Sequence, residues 1–127
     1  MTATARSFEQ PDDTTRFANG EQRIVHVMGA PVGFATFRPG WRWSNDVRPL
    51  AGTDRCRAHH AGYVLAGRLH VEPLDGPPVE LAAGDVFDIA PEHDAWVVGD
   101  EACVLLDWSG TADAYARPTA EQAGGRR

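Results

Sequence analysis

From about residue 20 onward the chain alternates short apolar runs with turn residues. Gln22–Met28 (QRIVHVM) and Val32–Arg38 (VGFATFR) predict two strands joined by Gly29-Ala30-Pro31. In the second, Val32, Phe34 and Thr36 share one face and Phe37 the other. In PGWRWSNDV, Trp41 and Trp43 flank Arg42, the alternation of a half-buried strand. Arg48–Asp54, with Pro49 and Gly52, predicts a loop. From Cys56 to Asp107 the punctuation is regular. Tyr63–Leu65 and Leu69–Val71 flank Ala66-Gly67, and Asp75-Gly76 precedes Val79–Leu81. Gly84-Asp85 precedes Val86–Ile89, and Ala95–Val98 and Ala102–Trp108 flank Gly99-Asp100. Asp-Gly and Gly-Asp between apolar runs signal hairpins, because the tight primed turns need positive φ. Helical periodicity is almost absent. The pattern predicts an all-β sandwich or barrel.

The ends read differently. Residues 1–20 form a polar arm with Pro11 and no period, either disordered or adding a strand to a neighbouring subunit. Residues 21–110 form the β domain, and 111–127 a tail in which Thr111–Ala116 suggests a helical turn and AEQAGGRR disorder. With 127 residues the chain is one domain with a core large enough to need no disulfide. A net charge of −6 argues against a nucleic-acid partner, which favours a basic face. No apolar run approaches the ~20 residues of a membrane helix, and the N-terminus has no apolar leader, so a cytoplasmic location is expected. Cys56 and Cys103 form no framework pattern and are expected to be reduced.

At YVLAGRLHV (Tyr63–Val71), followed by Gly84-Asp85 and the Ala90-Pro91 turn, the chain resembles a small single-domain bacterial cupin of the RmlC-like superfamily. The resemblance runs from about Phe34 to Trp108. It implies a conical antiparallel β-barrel (double-stranded β-helix, jelly-roll type), often a homodimer, with a small organic molecule bound at the wider mouth. The glycines and turns of the family's two motifs match, but its metal ligands do not. Seven residues before Gly67, where the family has a glutamate, stands His60. The family's paired histidines fall on Cys56 and Asp54, or with the longer spacing on Arg55 and Thr53, and its third histidine falls on Ala95.

A different site can be assembled by strand parity. Side chains two apart share a face, so Asp54, Cys56, Ala58 and His60 point one way, inward in the cupin register. His93 has the parity of Ala95, one rung nearer the mouth, and His59 faces outward unless a bulge swaps the pair. Imidazole, thiolate and carboxylate bind zinc, iron, nickel or copper, so His60, Cys56 and His93 are the candidate ligands of a divalent transition metal. The competing reading has no cofactor: His60 and His93 as hydrogen-bonded cavity histidines and Cys56 as a small buried apolar group. Trp41, Trp43 and Tyr63, with His60, are the candidate walls of a small-molecule pocket, or core. Cys56 and His60 as a nucleophilic pair is disfavoured, because four residues of regular strand separate their α-carbons by ~13 Å. Cys103 reads as structural, His26 and His70 as outer-face residues, and Arg42, Arg48, Arg55, Arg57 and Arg68 as solvated. No Ser-His-Asp order or phosphate loop is present, and no catalytic residue is assigned. Two functions stay open: a metal-dependent small-molecule protein of oxygenase, isomerase or lyase type, and a metal-free binding or sensor module.

Overall fold

The computed structural model describes residues 2–110 together with Ala112 and Tyr115. Apart from those two positions, the helical turn expected at Thr111–Ala116 and the AEQAGGRR tail lie outside the described residues. The elements are β1 (Asp13–Phe17), β2 (Gly20–Val27), β3 (Ala30–Phe37), α1 (Trp43–Asp46), α2 (Arg48–Ala51), β4 (His60–Ala66), β5 (Arg68–Pro73), β6 (Val79–Ala82), β7 (Val86–Ile89), β8 (His93–Val97) and β9 (Cys103–Asp107). They build a six-stranded sheet in the order β1-β2-β3-β9-β4-β7 and a three-stranded sheet in the order β6-β5-β8, all pairs antiparallel. The fold is all-β, as the alternation predicts.

Period-2 patterning sets which face is inside. Ala35 and Phe37 of β3, Val64 of β4, and Cys103 and Leu105 of β9 are buried from the large sheet. Leu69 and Val71 of β5, Leu81 of β6, and Ala95 and Val97 of β8 are buried from the small one, and all belong to one core. The two sheets therefore pack inner face to inner face.

Three local expectations are corrected. The β2–β3 turn is the dipeptide Met28-Gly29, with φ of 53° and 77°. Ala30 and Pro31 already belong to β3. Pro31 is tolerated there because β9 pairs only with Gly33–Phe37, so the missing N–H faces no partner on that side. Nor do Trp41 and Trp43 lie on a strand. Arg42 alone bridges to Trp96, and Trp43 starts α1. Asp46 decides this turn: its carboxylate accepts the Arg42 N–H at 2.9 Å, satisfying a donor that the helix start leaves open. Pro49 in the first turn of α2 converts the expected loop into a second helical turn. Trp41 is anchored instead by its carbonyl, which accepts the Val97 N–H at 3.1 Å and so ties the indole to β8. Among the described residues no helix is long and apolar enough to cross a membrane.

One glycine positions the interior. Gly62 of β4 lies opposite Phe87 on one side and Asp107 on the other. A Cβ at Gly62 would sit 1.7 Å from the Leu106 carbonyl oxygen, so only glycine lets β9 lie this close to β4. That closeness brings Asp107 to the strand that carries His60.

Candidate metal centre

Cys56 precedes β4 and is held by an isolated bridge to His93. Its N–H donates to the His93 carbonyl at 2.8 Å, and its own carbonyl accepts from Glu92 N–H at 2.7 Å. Glu92 has φ of 72°, a left-handed kink that starts β8 and turns His93 back towards Cys56. Between Cys56 and β4 the chain has no regular strand structure. The separation expected for a straight strand is therefore wrong: Cys56 Sγ lies 3.4 Å from His60 Nε2.

Each histidine has its second nitrogen committed. His60 Nδ1–H donates to Asp107 Oδ2 at 2.7 Å, and the other oxygen of Asp107 accepts the Ser109 N–H at 2.9 Å and hydroxyl at 2.7 Å. His93 Nδ1 lies 2.8 Å from the Ala90 carbonyl, which can only accept, so the proton sits on Nδ1 and the Nε2 lone pair is left available. The ligand atoms of Cys56, His60 and His93 all lie within 4.8 Å of one another. A tetrahedral zinc with bonds of about 2.0–2.3 Å needs its ligand atoms ~3.3–3.7 Å apart. The Cys56–His60 pair, at 3.4 Å, already meets that spacing. A carboxylate or a carbonyl behind each imidazole is the usual orienting shell of a metal-binding histidine. The donor set fits the metal.

The same hydrogen bonds set the charges of the metal-free centre. Burial alone would raise the Cys56 thiol, but hydrogen bonds and positive charge from His60 and His93 outweigh it and bring it down to about 6. Burial would lower His60, but Asp107 and the thiolate raise it to about 9. Asp107 itself is held below its ordinary value, since its contacts with His60 and Ser109 outweigh the upward push of burial. Thiolate and imidazolium thus face each other at neutral pH. Taken singly, His60 contributes stability that is complete below pH 6.5 and lost as pH rises through about 9. Cys56 contributes stability that is complete above pH 9.0 and lost as pH falls through about 6. The folded pair therefore titrates near 6 and 9, and the unfolded pair near 6.5 and 9.0, so the two pH dependences almost cancel. What changes on folding is which atom holds the proton. In metal-free protein the thiolate ultraviolet absorbance is expected to rise in one step near pH 6, to vanish in Cys56→Ser, and to move above pH 9 in His60→Gln. Cys103, pushed up to about 12 chiefly by burial, stays silent in that range. A first step near pH 9 in the parent protein would show an ordinary thiol.

His60 and His93 open onto a cavity of about 40 Å³ whose other walls include Trp41, Trp43, Phe37 and Tyr115. By a water-sized sphere of ~10–15 Å³, this is room for about three waters. The two tryptophans expected as pocket walls are there, each 2% exposed, although from a loop and α1 rather than a strand. Two expectations fail. Tyr63 shares the outer face of β4 with Leu65 and lines no part of this cavity. Asp54 is exposed and pairs with Arg48 at 3.2 Å, far from the inward position that strand parity gave it, because the chain before Cys56 is not a strand. Ala95 and His93 both face inward from β8, as their shared parity predicts. His59 lies exposed beside Asp88, so His60 is the inward member of the pair. Two residues went unnoticed in the sequence. Asp107 could have been found from the alternation Cys103, Leu105, Asp107, which puts an acid on a core face. Tyr115, in the supposed tail, is buried with its ring edge-on to His60 at 5.4 Å, and no local signal marks it.

Residues 54–109 match the family model described as the cupin domain. This stretch is similar to a cupin domain. No curated protein matches the sequence. Among solved structures, the protein is similar to an RmlC-like cupin from Shewanella frigidimarina, at 20% identity over 84% of this chain and 88% of the other, with a TM-score of 0.57. KdgF from a Halomonas species is similar at 20% identity over 85% and 94%, TM-score 0.53. A cupin-like protein from Thermotoga maritima is similar at 19% over 72% and 68%, TM-score 0.50. At these identities the likeness concerns the fold. The cupin resemblance read from the glycines and turns holds, and the two antiparallel sheets with few helices agree with it.

Proposed function

We propose that this cupin holds one divalent transition metal at Cys56, His60 and His93 and receives a small molecule at the coordination position left open towards the cavity. The observation that carries the reading is the paired orientation of the imidazoles. Asp107 fixes one and the Ala90 carbonyl the other, leaving both Nε2 atoms for a ligand role beside the Cys56 sulfur. One thiolate with two imidazoles suits zinc, copper, iron or nickel. A bound divalent metal supplies Lewis acidity to an oxygen of its ligand. The chain's share is orientation by Asp107 and Ala90, and exclusion of water by the aromatic walls. We read the site as the mouth of a conical barrel in a homodimer, with oxygenase, isomerase and lyase chemistries all open to it. The Cys56–His60–Asp107 relay also has the form of an activated nucleophile. Against that use, the thiol is 3% exposed and is not one of the cavity walls, whereas both histidines are.

Elemental analysis of untagged protein, beside a His60→Ala variant, tests the reading. About one equivalent of zinc, iron, nickel or copper is expected in the parent and little in the variant. A parent that stays metal-free after supplementation with all four would sink the metal reading and leave a metal-free binding or sensor module.

A further inference from the structure

The cavity wall contains an orphan. Among the described residues, Trp41 Nε1 is the buried side-chain nitrogen or oxygen atom without a hydrogen-bond partner. A buried N–H left unmade costs about 1–3 kcal/mol, and native interiors rarely keep one without a reason. The indole cannot swing out to find water. Its backbone carbonyl is tied to β8, its ring packs on Phe37 with centroids 4.2 Å apart, and the residue is 2% exposed. Two of the other polar walls are engaged. Gln22 donates its amide to the Ala112 carbonyl at 2.6 Å, and Asp107 is taken up by His60 and Ser109. Indole N–H is a donor only, so what it lacks is an acceptor.

Trp41 lines the same small space as His60 and His93. We propose that Trp41 is a specificity-determining residue of the site: its indole N–H receives an acceptor atom of a small anion, of carboxylate or similar size, whose other end meets the metal. The inference rests on the metal reading given above. Charge permits such a ligand: the thiolate and the Asp107 carboxylate behind His60 together only balance a divalent metal, and of the two only the thiolate would bind it directly. Size follows from the cavity, which admits a few non-hydrogen atoms and no aromatic ring unless its walls move. A site built to hydrogen-bond its ligand discriminates strongly against an isostere that leaves the donor unpaired.

The test is a formate titration of zinc-loaded, ¹⁵N-labelled protein, following the assigned indole N–H resonance of Trp41. A saturable shift of that resonance is expected, with none from benzoate. In the cobalt(II)-loaded protein, whose visible spectrum reports ligand entry independently, Trp41→Phe is expected to weaken formate binding about tenfold without changing metal content. A cobalt spectrum that responds to formate while the Trp41 resonance stays still, or equal affinity in Trp41→Phe, would overturn the proposal and leave the metal site intact. The resonance is read in unsubstituted protein, so a poorly folding variant does not block the answer. If the protein takes up neither metal, the proposed function falls. The titration is then read on metal-free protein, where a shift of the Trp41 indole supports its role as acceptor-selecting donor and a still resonance overturns it.

Discussion

Replacing Asp107 by alanine lowers the folding stability of the metal-free protein by about 3–5 kcal/mol at neutral pH, the usual cost of removing one partner from a buried ion pair. Asp107 is 2% exposed and the His60 side chain 13%, so solvent offers the stranded imidazole little compensation. The carboxylate also accepts two hydrogen bonds from Ser109, which alanine removes. Asp107→Asn keeps the shape and an acceptor for Ser109 but not the charge, and is expected to lose less. The pH dependence has a definite sign. Asp107 is held below its ordinary value of 3.8 in the folded protein, so its contribution is present above about pH 4 and is lost as the pH falls through the depressed folded value. The gap between parent and Asp107→Ala therefore narrows in acid. Urea unfolding at pH 7 and pH 3.5 measures both effects. A neutral-pH loss below 1 kcal/mol would mean that the His60–Asp107 pair is an incidental contact. In the metal-loaded protein, Asp107→Asn should weaken metal binding about 10- to 100-fold, the range seen when a group orienting a histidine ligand is lost.

Gly62→Ala is the second large effect, expected at about 3 kcal/mol or more, at the upper end of overpacking costs. The added carbon would lie 1.7 Å from the Leu106 carbonyl oxygen, 2.7 Å from its carbon and 2.9 Å from Phe87 Cζ. The first two are backbone atoms of β9 and cannot rotate away. Relief requires β4 and β9 to separate, and that movement withdraws Asp107 from His60, because Gly62 and Asp107 face each other across the ladder. The substitution should therefore unsettle the site as well as the fold: the thiolate step of Cys56 should shift upward from about pH 6 in parallel with the loss in unfolding midpoint. A stable Gly62→Ala with an unmoved thiolate step would show that β9 accommodates the methyl elsewhere.

Turn chemistry carried most of the fold into the sequence. Gly67, Gly76, Gly84 and Gly99 all have positive φ, and the strands between them fall close to where alternation puts them. These are local signals of where a strand ends, not of what it pairs with. Of the four, only Asp75-Gly76 joins a paired hairpin, β5 to β6. Gly67, Gly84 and Gly99 lie where the chain passes from one sheet to the other, so the hairpins expected at Gly84-Asp85 and Gly99-Asp100 are not formed. The errors came where a side chain's hydrogen bond, or a backbone bond, overrode alternation. Trp41-Arg42-Trp43 alternates like a strand, yet Asp46 captures the Arg42 N–H and winds α1. Cys56 to His60 could be spaced by a strand's rise only if it were a strand, and the bridge between Cys56 and His93 bends it.

The site divides along the same line. The sequence by itself determined the residue types: His60 and Cys56 at the first motif, His93 near the second, and large rings to enclose them. It also determined that the family's own ligand set is missing, since that follows from identity and spacing alone. Only the tertiary structure decided that the three converge, that His60 rather than His59 faces in, that Asp107 and Tyr115 back the centre, and that Tyr63 and Asp54 do not belong to it. Convergence depends on the approach of β9 to β4 at Gly62 and on the left-handed turn at Glu92, which join residues dozens of positions apart. Strand parity says which way a side chain points; the distance between two strands is set by the packing of the whole core.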